Sequence, residues 1–495
     1  MSDALDTLRT ALAPKIGMKR IPFPTESYQH RSVPLSQKRL LNLMAEEEPS
    51  DARTQAALIS TPGLWSPELF VGAFASGPVH AINTDEPGVG YFVSGSHAYG
   101  YSGTIWDMGE VGVASAVGGV NPDLVMPATI AVSQSAVVFC IPPNAFTAPH
   151  AVGSTVNQIG GTFPGANSVT YINNYFAFSQ QGYGLGFFLS TIADPTLFDA
   201  LDFASIEAGT NVMLRAITQA GELWLCGRNG FEIWYNSGDQ DFPFRRRQTG
   251  GVISYGVGTP RTVAQIDNSV FWLDKDGTVF RSKGYTAERI STHAIEGIIA
   301  SYGISSSVKA YGLAYAQDGH AFYALTLSGD RTLVYDCNTK RWHDRSSNAD
   351  GNGPWRANAV GMVENLVYIG DRTDGTVYFA DTTVPTDAGV DVLRQAVMPP
   401  LWAATHRAFC ARLEIEMESG GLLAPGDVTL DWSDDGGINW TGGPRVMNAG
   451  TLLETRKRVY TTRLGSFRQR VFRFSVRGHA TFYAVDADIS GGTAG

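Results

Sequence analysis

Residues Glu222–Ser237 read ELWLCGRNGFEIWYNS. Leu223, Leu225 and Gly227 alternate with Trp224 and Cys226, Arg228-Asn229-Gly230 interrupts the run, and Phe231, Ile233 and Tyr235 resume it. Period two on both sides of an Asn-Gly pair is the pattern of a β-hairpin, and Asn229-Gly230 is expected to supply the two positive-φ positions of a tight primed turn. Both faces of the ribbon are apolar. Neither can face water, so the hairpin needs neighbours of its own kind on each side.

The chain contains such neighbours. Strand-turn-strand units recur at Tyr91–Trp106, at Ala136–Ile141 with its downstream partner, and at Tyr171–Leu189, Val270–Arg281, Phe322–Tyr335 and Leu366–Phe379. Their anchors Tyr91, Val137, Tyr175, Leu223, Val270, Phe322 and Leu366 lie roughly 40 to 50 residues apart, the spacing of propeller blades of four strands each. The expectation is an all-β protein: a β-propeller of about seven, possibly irregular, blades over residues 61–385. An N-terminal helix and extended arm (1–60) precedes it, and an antiparallel β-sandwich (386–495) follows. Radial closure favours this over stacked sheets, because seven hairpin edges left open would aggregate.

Only 17% of the 495 residues are charged, against 55 glycines and 11% aromatic residues, which describes a turn-rich β protein. The net charge of −10 argues against a general nucleic-acid-binding surface, though an acidic wall lets a duplex slide past. Cys140, Cys226, Cys337 and Cys410 show no CxxC or Cys/His spacing and read as buried thiols of a reducing compartment. The N-terminus has no apolar signal region, and no apolar run reaches the length of a membrane span. Synthesis in a cytoplasm, with no membrane anchor, is expected.

Leu5, Leu8 and Leu12 mark a short helix over Asp3–Ala13, stopped by Pro14. From Gln37 to Ser66 the chain reads as a strand, a polar loop, and a second strand ending in a Pro62-Gly63 turn. Ala294–Tyr302, AIEGIIASY, is a helix with Ser291-Thr292 as N-caps. Arg412–Met417, Val428–Ser433, Val459–Arg463, Val471–Val476 and Phe482–Ile489 alternate strictly and form the sandwich strands.

An Arg, an Asn in an apolar run, a polar spacer and Thr61-Pro62-Gly63-Leu64 resemble the start of the tail hub or nozzle proteins of short-tailed double-stranded-DNA phages. These are also called packaged-DNA stabilisation proteins. The likeness is more specific over about 130 residues from Val212 to Ser346, through the Glu222–Ser237 hairpin, Arg245-Arg246-Arg247, the helix and Leu333–Trp342, and extends more weakly through Arg468–Arg477. Leu43-Met44 departs from the Tyr-Pro such proteins often carry. The resemblance implies a virion component made in the host cytoplasm: a ring of six copies below the portal and head-tail adaptor, retaining packaged DNA and serving as the conduit for its ejection. A tail needle or tip lies below and tailspikes at the side, and double-stranded DNA passes without sequence-specific binding.

Chemistry-bearing motifs are few. Ser433–Trp440 matches an Asp-box with Asn439 in the Thr position, where Asp435 accepts backbone N–H bonds, Gly437 shapes the turn and Trp440 packs beneath it. Asp274/Asp276 and Asp371/Asp374 read as hairpin turns ahead of calcium loops. No histidine pair, nucleophile elbow or phosphate-cradling fingerprint appears, so no catalytic residue, metal or cofactor is assigned. Two basic stretches are candidate interfaces: Arg245, Arg246 and Arg247, and Arg456, Arg458, Arg468, Arg470 and Arg473. Each suits a subunit contact better than DNA. The alternative to a non-enzymatic ring is a glycan-binding or glycan-hydrolysing propeller, which needs converging carboxylates at the propeller axis.

Overall fold

A computed structural model describes residues 18–47, 56–72, 74, 77–86, 88–113, 126–182, 186–199, 201–206, 212–303, 310–363, 366–403, 406–418, 427–449 and 457–491. The Asp3–Ala13 helix lies outside them, as does Arg456. Among the described residues, seven blade-like sets of strands follow one another, four strands in most, with a fifth short strand in the fourth set and three in the seventh. Five form separate sheets, over 79–110, 129–158, 166–205, 213–253 and 264–289. The sixth set, Ala310–Gln317 to Arg341–Arg345, and the seventh, Ala357–Val363 to Val377–Asp381, belong to larger sheets.

The proof of radial packing is the core itself. Seven apolar clusters each join two consecutive blades, from Tyr91 and Val93 of blade 1 with Val137 and Phe139 of blade 2, round to Tyr368 of blade 7 with Phe92 of blade 1. Within the Glu222–Gly227 strand, Leu223 and Leu225 face blade 3 while Trp224 and Cys226 face blade 5. Alternation thus hands successive residues to opposite neighbours. All seven anchors predicted from the sequence fall in second strands of blades.

The turn chemistry differs from expectation. Neither Asn229 nor Gly230 has positive φ; the primed two-residue pairs are Asn173-Asn174, Ala220-Gly221, Asp267-Asn268 and Asp318-Gly319, linking first strands to second strands. Gly230 is needed for space, because a Cβ there would sit 2.5 Å from the Ile253 carbonyl oxygen. The helix α1, His293–Ser301, fills the gap after blade 5, with the Thr292 hydroxyl accepting from the Ile295 N–H and Ile295 and Ile299 buried.

The N-terminal arm stitches the domains together. Strand β1 (Met18–Ile21) pairs with Thr481–Gly491, and β2 (Tyr28–Gln29) pairs with β3 (Gln37–Leu41). Strand β3 lies between Arg341–Arg345 of blade 6 and Leu393–Val397, so one sheet runs from the propeller into the sandwich. Strands β4 (Leu43–Glu47) and β5 (Ala56–Ser60) join the other sandwich sheet, and β6 (Gly63–Trp65) returns to complete blade 7 against Val377–Asp381. Pro62-Gly63 is therefore an extended crossing rather than a turn. A Cβ on Gly63 would lie 2.2 Å from the Val384 carbonyl oxygen, so the close approach requires glycine. The sandwich core, with Leu413, Ile415, Phe472, Phe474 and Phe482, also takes Leu40, Leu43 and Leu58 from the arm.

Candidate functional site

Where the arm crosses between domains, Asn42 acts as a knot. Its φ is +52°, a conformation Asn tolerates better than most residues. Its Nδ2 donates to the carbonyls of Ser346 (2.9 Å) and Leu393 (2.8 Å), and its Oδ1 accepts from the Ser346 N–H at 3.0 Å. The backbone N–H donates to Asp344 and the carbonyl accepts from Thr61. One buried side chain therefore satisfies groups from the end of blade 6 and the start of the sandwich.

Charges surround this knot. Asp344 is buried, accepts from Arg331 Nε at 2.6 Å and from the Ser27 hydroxyl at 2.8 Å, and has Arg39 Nε at 3.7 Å. Burial alone would raise its pKa; Arg331 and Arg39 outweigh it, and the carboxyl is held below its ordinary range. Arg345 stacks on Trp355 (3.8 Å to the ring centroid) and donates to the Tyr315 hydroxyl and the Pro62 carbonyl. The residues that carry the family likeness, Arg39, Asn42 and Thr61 to Leu64, thus make the joint between domains. Sequence reading saw the motif but not its role, because its partners lie some 280 to 350 residues away.

Six of the eight candidate arginines are paired within the chain. Arg245 contacts Asp239, Arg246 lies 3.7 Å from the buried Glu232, and Arg247 binds Glu222 at 2.6 Å while stacking over Tyr285. Arg470 is buried, forked onto Asp434 at 2.6 and 2.8 Å among Trp432 and Phe467; Arg473 binds Asp431 and stacks on Trp440. Arg458 lies 3.7 Å from Glu414, and Arg468 is exposed. The acids come from neighbouring strands rather than from the basic stretch.

In the Ser433–Trp440 turn, Asp435 accepts from the N–H groups of Ile438 (3.0 Å) and Asn439 (2.9 Å), from the Asn439 side chain, and from the Ser433 hydroxyl at 2.6 Å. The Asn439 N–H bond and the Ser433 hydroxyl are the main reasons its pKa falls to about 2. Asp435→Ala should remove hydrogen-exchange protection at Ile438 and Asn439 without changing the fold. In the wild type that protection should persist above the ordinary carboxylate pKa and fade as pH falls toward 2; unchanged protection in the variant would refute the assignment.

The propeller axis encloses a cavity of about 580 Å³ bounded by the first strands of all seven blades. Arg215 and Arg261 line it, with His80, Gln265, Tyr311 and Asn358, and no described lining residue is acidic. A glycosidase's facing carboxylates are therefore not among those residues. Among the described residues no group of three or more His, Cys, Asp or Glu is placed to hold a metal. Asp371 accepts from the Thr373 N–H and pairs with Arg356, and Asp274 is spanned by the hairpin bond from its N–H to the Thr278 carbonyl. All four cysteines are buried and free, and no helix among the described residues is long and apolar enough to cross a membrane.

Residues 20–385 match the family described as Bacteriophage P22 Gp10, beta-propeller, and residues 394–490 match Bacteriophage P22 Gp10, beta-sandwich. Comparison with curated proteins gives no match. Among solved structures, a streptogramin B lyase is 12% identical (64% of this chain, 95% of that one, TM-score 0.41). BamB from Moraxella catarrhalis is 11% identical (74% and 97%, TM-score 0.39). Matched across both its propeller and its sandwich, the chain belongs to the phage-stabilisation family of Bacteriophage P22 Gp10, a family of phage tail structural proteins.

Proposed function

We propose that the protein is the hub, or nozzle, ring of a short phage tail: six copies below the portal and head-tail adaptor that retain packaged DNA and form the conduit for its ejection. The observation that carries this reading is the arm. By running β3 between blade 6 and the sandwich and closing blade 7 with β6, it makes one stiff block from two domains with different outer faces. Head-to-tail ring contacts need such a block. Ile192, Leu197 and Leu201, between the third and fourth strands of blade 3, and Phe203, in the fourth, are exposed apolar residues suited to cover by a neighbouring subunit. Arg245, Arg458 and Arg468 are exposed and serve as polar contacts at subunit boundaries, whereas Arg246, Arg247, Arg470 and Arg473 are more covered and paired with acids of this chain. The needle or tip below and the tailspikes beside complete the partner set, and the duplex slides past an acidic protein without sequence-specific contact.

Electron microscopy of the full chain, alone and mixed with adaptor-loaded portal particles, tests this. Sixfold rings seated on the adaptor are the expected result. A protein that stays monomeric and fails to bind those particles would sink the proposal.

A further inference from the structure

The axial cavity carries a charge that nothing in its described wall balances. Arg215 and Arg261 line it without an acidic neighbour, in a protein whose net charge is −10. Both sit at one end. Arg215 is near the start of the first strand of blade 4, Arg261 lies in the short turn three residues before that of blade 5, and His80 and Asn358 are the second residues of those of blades 1 and 7. The first strands run in step round the axis: the Asn358 amide donates to the Val79 carbonyl at this end, and the Thr84 hydroxyl donates to the Met362 carbonyl at the other.

Backbone and side-chain partners hold the two guanidinium groups without satisfying them. Arg215 Nη1 donates to the Val263 carbonyl at 2.8 Å and more weakly to Pro260, while its buried Nε has no acceptor. Arg261 reaches past blade 6, stacked on Tyr311 at 5.0 Å, to donate through Nη2 to Asn358 Oδ1 at 3.0 Å. Burial lowers the pKa of both arginines, and the charge of Arg261 lowers those of Arg215 and His80 further. The other titratable group facing Arg215 is Cys226, whose thiol burial pushes up to about 12 and so keeps neutral. Two desolvated cations lining one cavity that has no acidic residue in its described wall are a cost to the fold that an anion in the cavity relieves.

We propose that this end of the propeller axis is a binding site for a small tetrahedral oxyanion of the phosphate or sulfate class, held by Arg215 and Arg261 with neutral His80 as a third donor. Arg215 and Arg261, from blades 4 and 5, and His80, from blade 1, line this end of the cavity together, so a tetrahedral ion can draw on all three, whereas a planar carboxylate presents its two oxygens in one direction. The site stands apart from ring assembly, and its test needs no partner protein.

Thermal unfolding of the full chain in chloride buffer, with inorganic phosphate or sulfate titrated in at constant ionic strength, should show a saturable rise in Tm that acetate does not reproduce. Calorimetric titration with inorganic phosphate should give about tenfold or weaker affinity in Arg261→Gln than in the wild type. Arg261→Lys, which keeps the charge but not the fork, should bind phosphate with intermediate affinity. Equal phosphate responses in the wild type and both variants, an equal shift with acetate, or no calorimetric binding would overturn the site.

Discussion

Asn42→Ala should cost the protein about 4 kcal/mol of stability, a large part of what a domain of this kind possesses. The substitution deletes three side-chain hydrogen bonds and leaves the buried Ser346 N–H and carbonyl and the partly buried Leu393 carbonyl without their partners. Each such orphan costs about 1 to 3 kcal/mol, and an alanine held in the left-handed region adds about 1 more. Asn42→Gly separates the two causes: it relieves the backbone term and keeps the hydrogen-bond loss, so it should be less damaging by about 1 kcal/mol. Urea unfolding followed by tryptophan fluorescence reads both. Because Asn42 ties the end of blade 6 to the start of the sandwich, its loss should also resolve one transition into two, as the propeller and sandwich unfold separately. A single wild-type-like transition in Asn42→Ala would show that the junction is held by the sheet through β3 alone.

The reason this residue did not stand out in the sequence also explains what did. Second strands of blades were legible because they are buried on both faces, so every residue from Leu223 to Cys226 is apolar and the run repeats. The helix was legible within a residue at each end, since Thr292 caps it and isoleucines mark its buried face. Turn positions were less so. Asn229-Gly230 has the composition of a primed turn but serves a close contact, while Ala220-Gly221 adopts the primed conformation with a residue that gives no hint of it. The arginine pairs were hidden for a different reason. Arg470 and Asp434 meet across a sheet from 36 residues apart, so a stretch that looks purely basic is neutralised by tertiary structure. The axial cavity was invisible for the same reason: its wall draws one short segment from each blade, and Arg215 and Arg261 carry no local signature.

Acid should destabilise the protein in two stages, the first governed by His343 with His80 and His479 acting in the same direction. This side chain is buried in blade 6, edge-on to Phe322, and burial lowers its pKa from 6.5 to about 4, with Arg345 and His320 acting in the same direction against Asp336 and Asp344. The unfolded chain takes up a proton near pH 6.5 that the folded chain refuses until about pH 4. Stability therefore falls through this window as pH drops, by about 1.4 kcal/mol per pH unit at most and on the order of 3 kcal/mol in all. Asp344 governs the second stage. Its folded pKa lies below the ordinary carboxylate value, so its contribution is intact above that value and is lost as pH falls further and Arg331 and Arg39 lose their buried counter-charge. Asp387 opposes this, because burial raises its pKa and the folded state takes up its proton first as pH falls. Absolute stability thus mixes signs, whereas the slope difference between proteins isolates one group. Urea midpoints measured from neutral pH down to pH 4 should flatten in both His343→Phe and His343→Gln, whatever each does to stability at pH 7. Wild-type slopes in both variants would mean that His343 gains its proton within the folded blade. Asp344→Asn should not flatten the slope above pH 4, because the Asp344 charge itself raises the His343 pKa, and should lower stability by about 3 to 5 kcal/mol at neutral pH, since it strands two arginines at the joint on which the stiffness of the block depends.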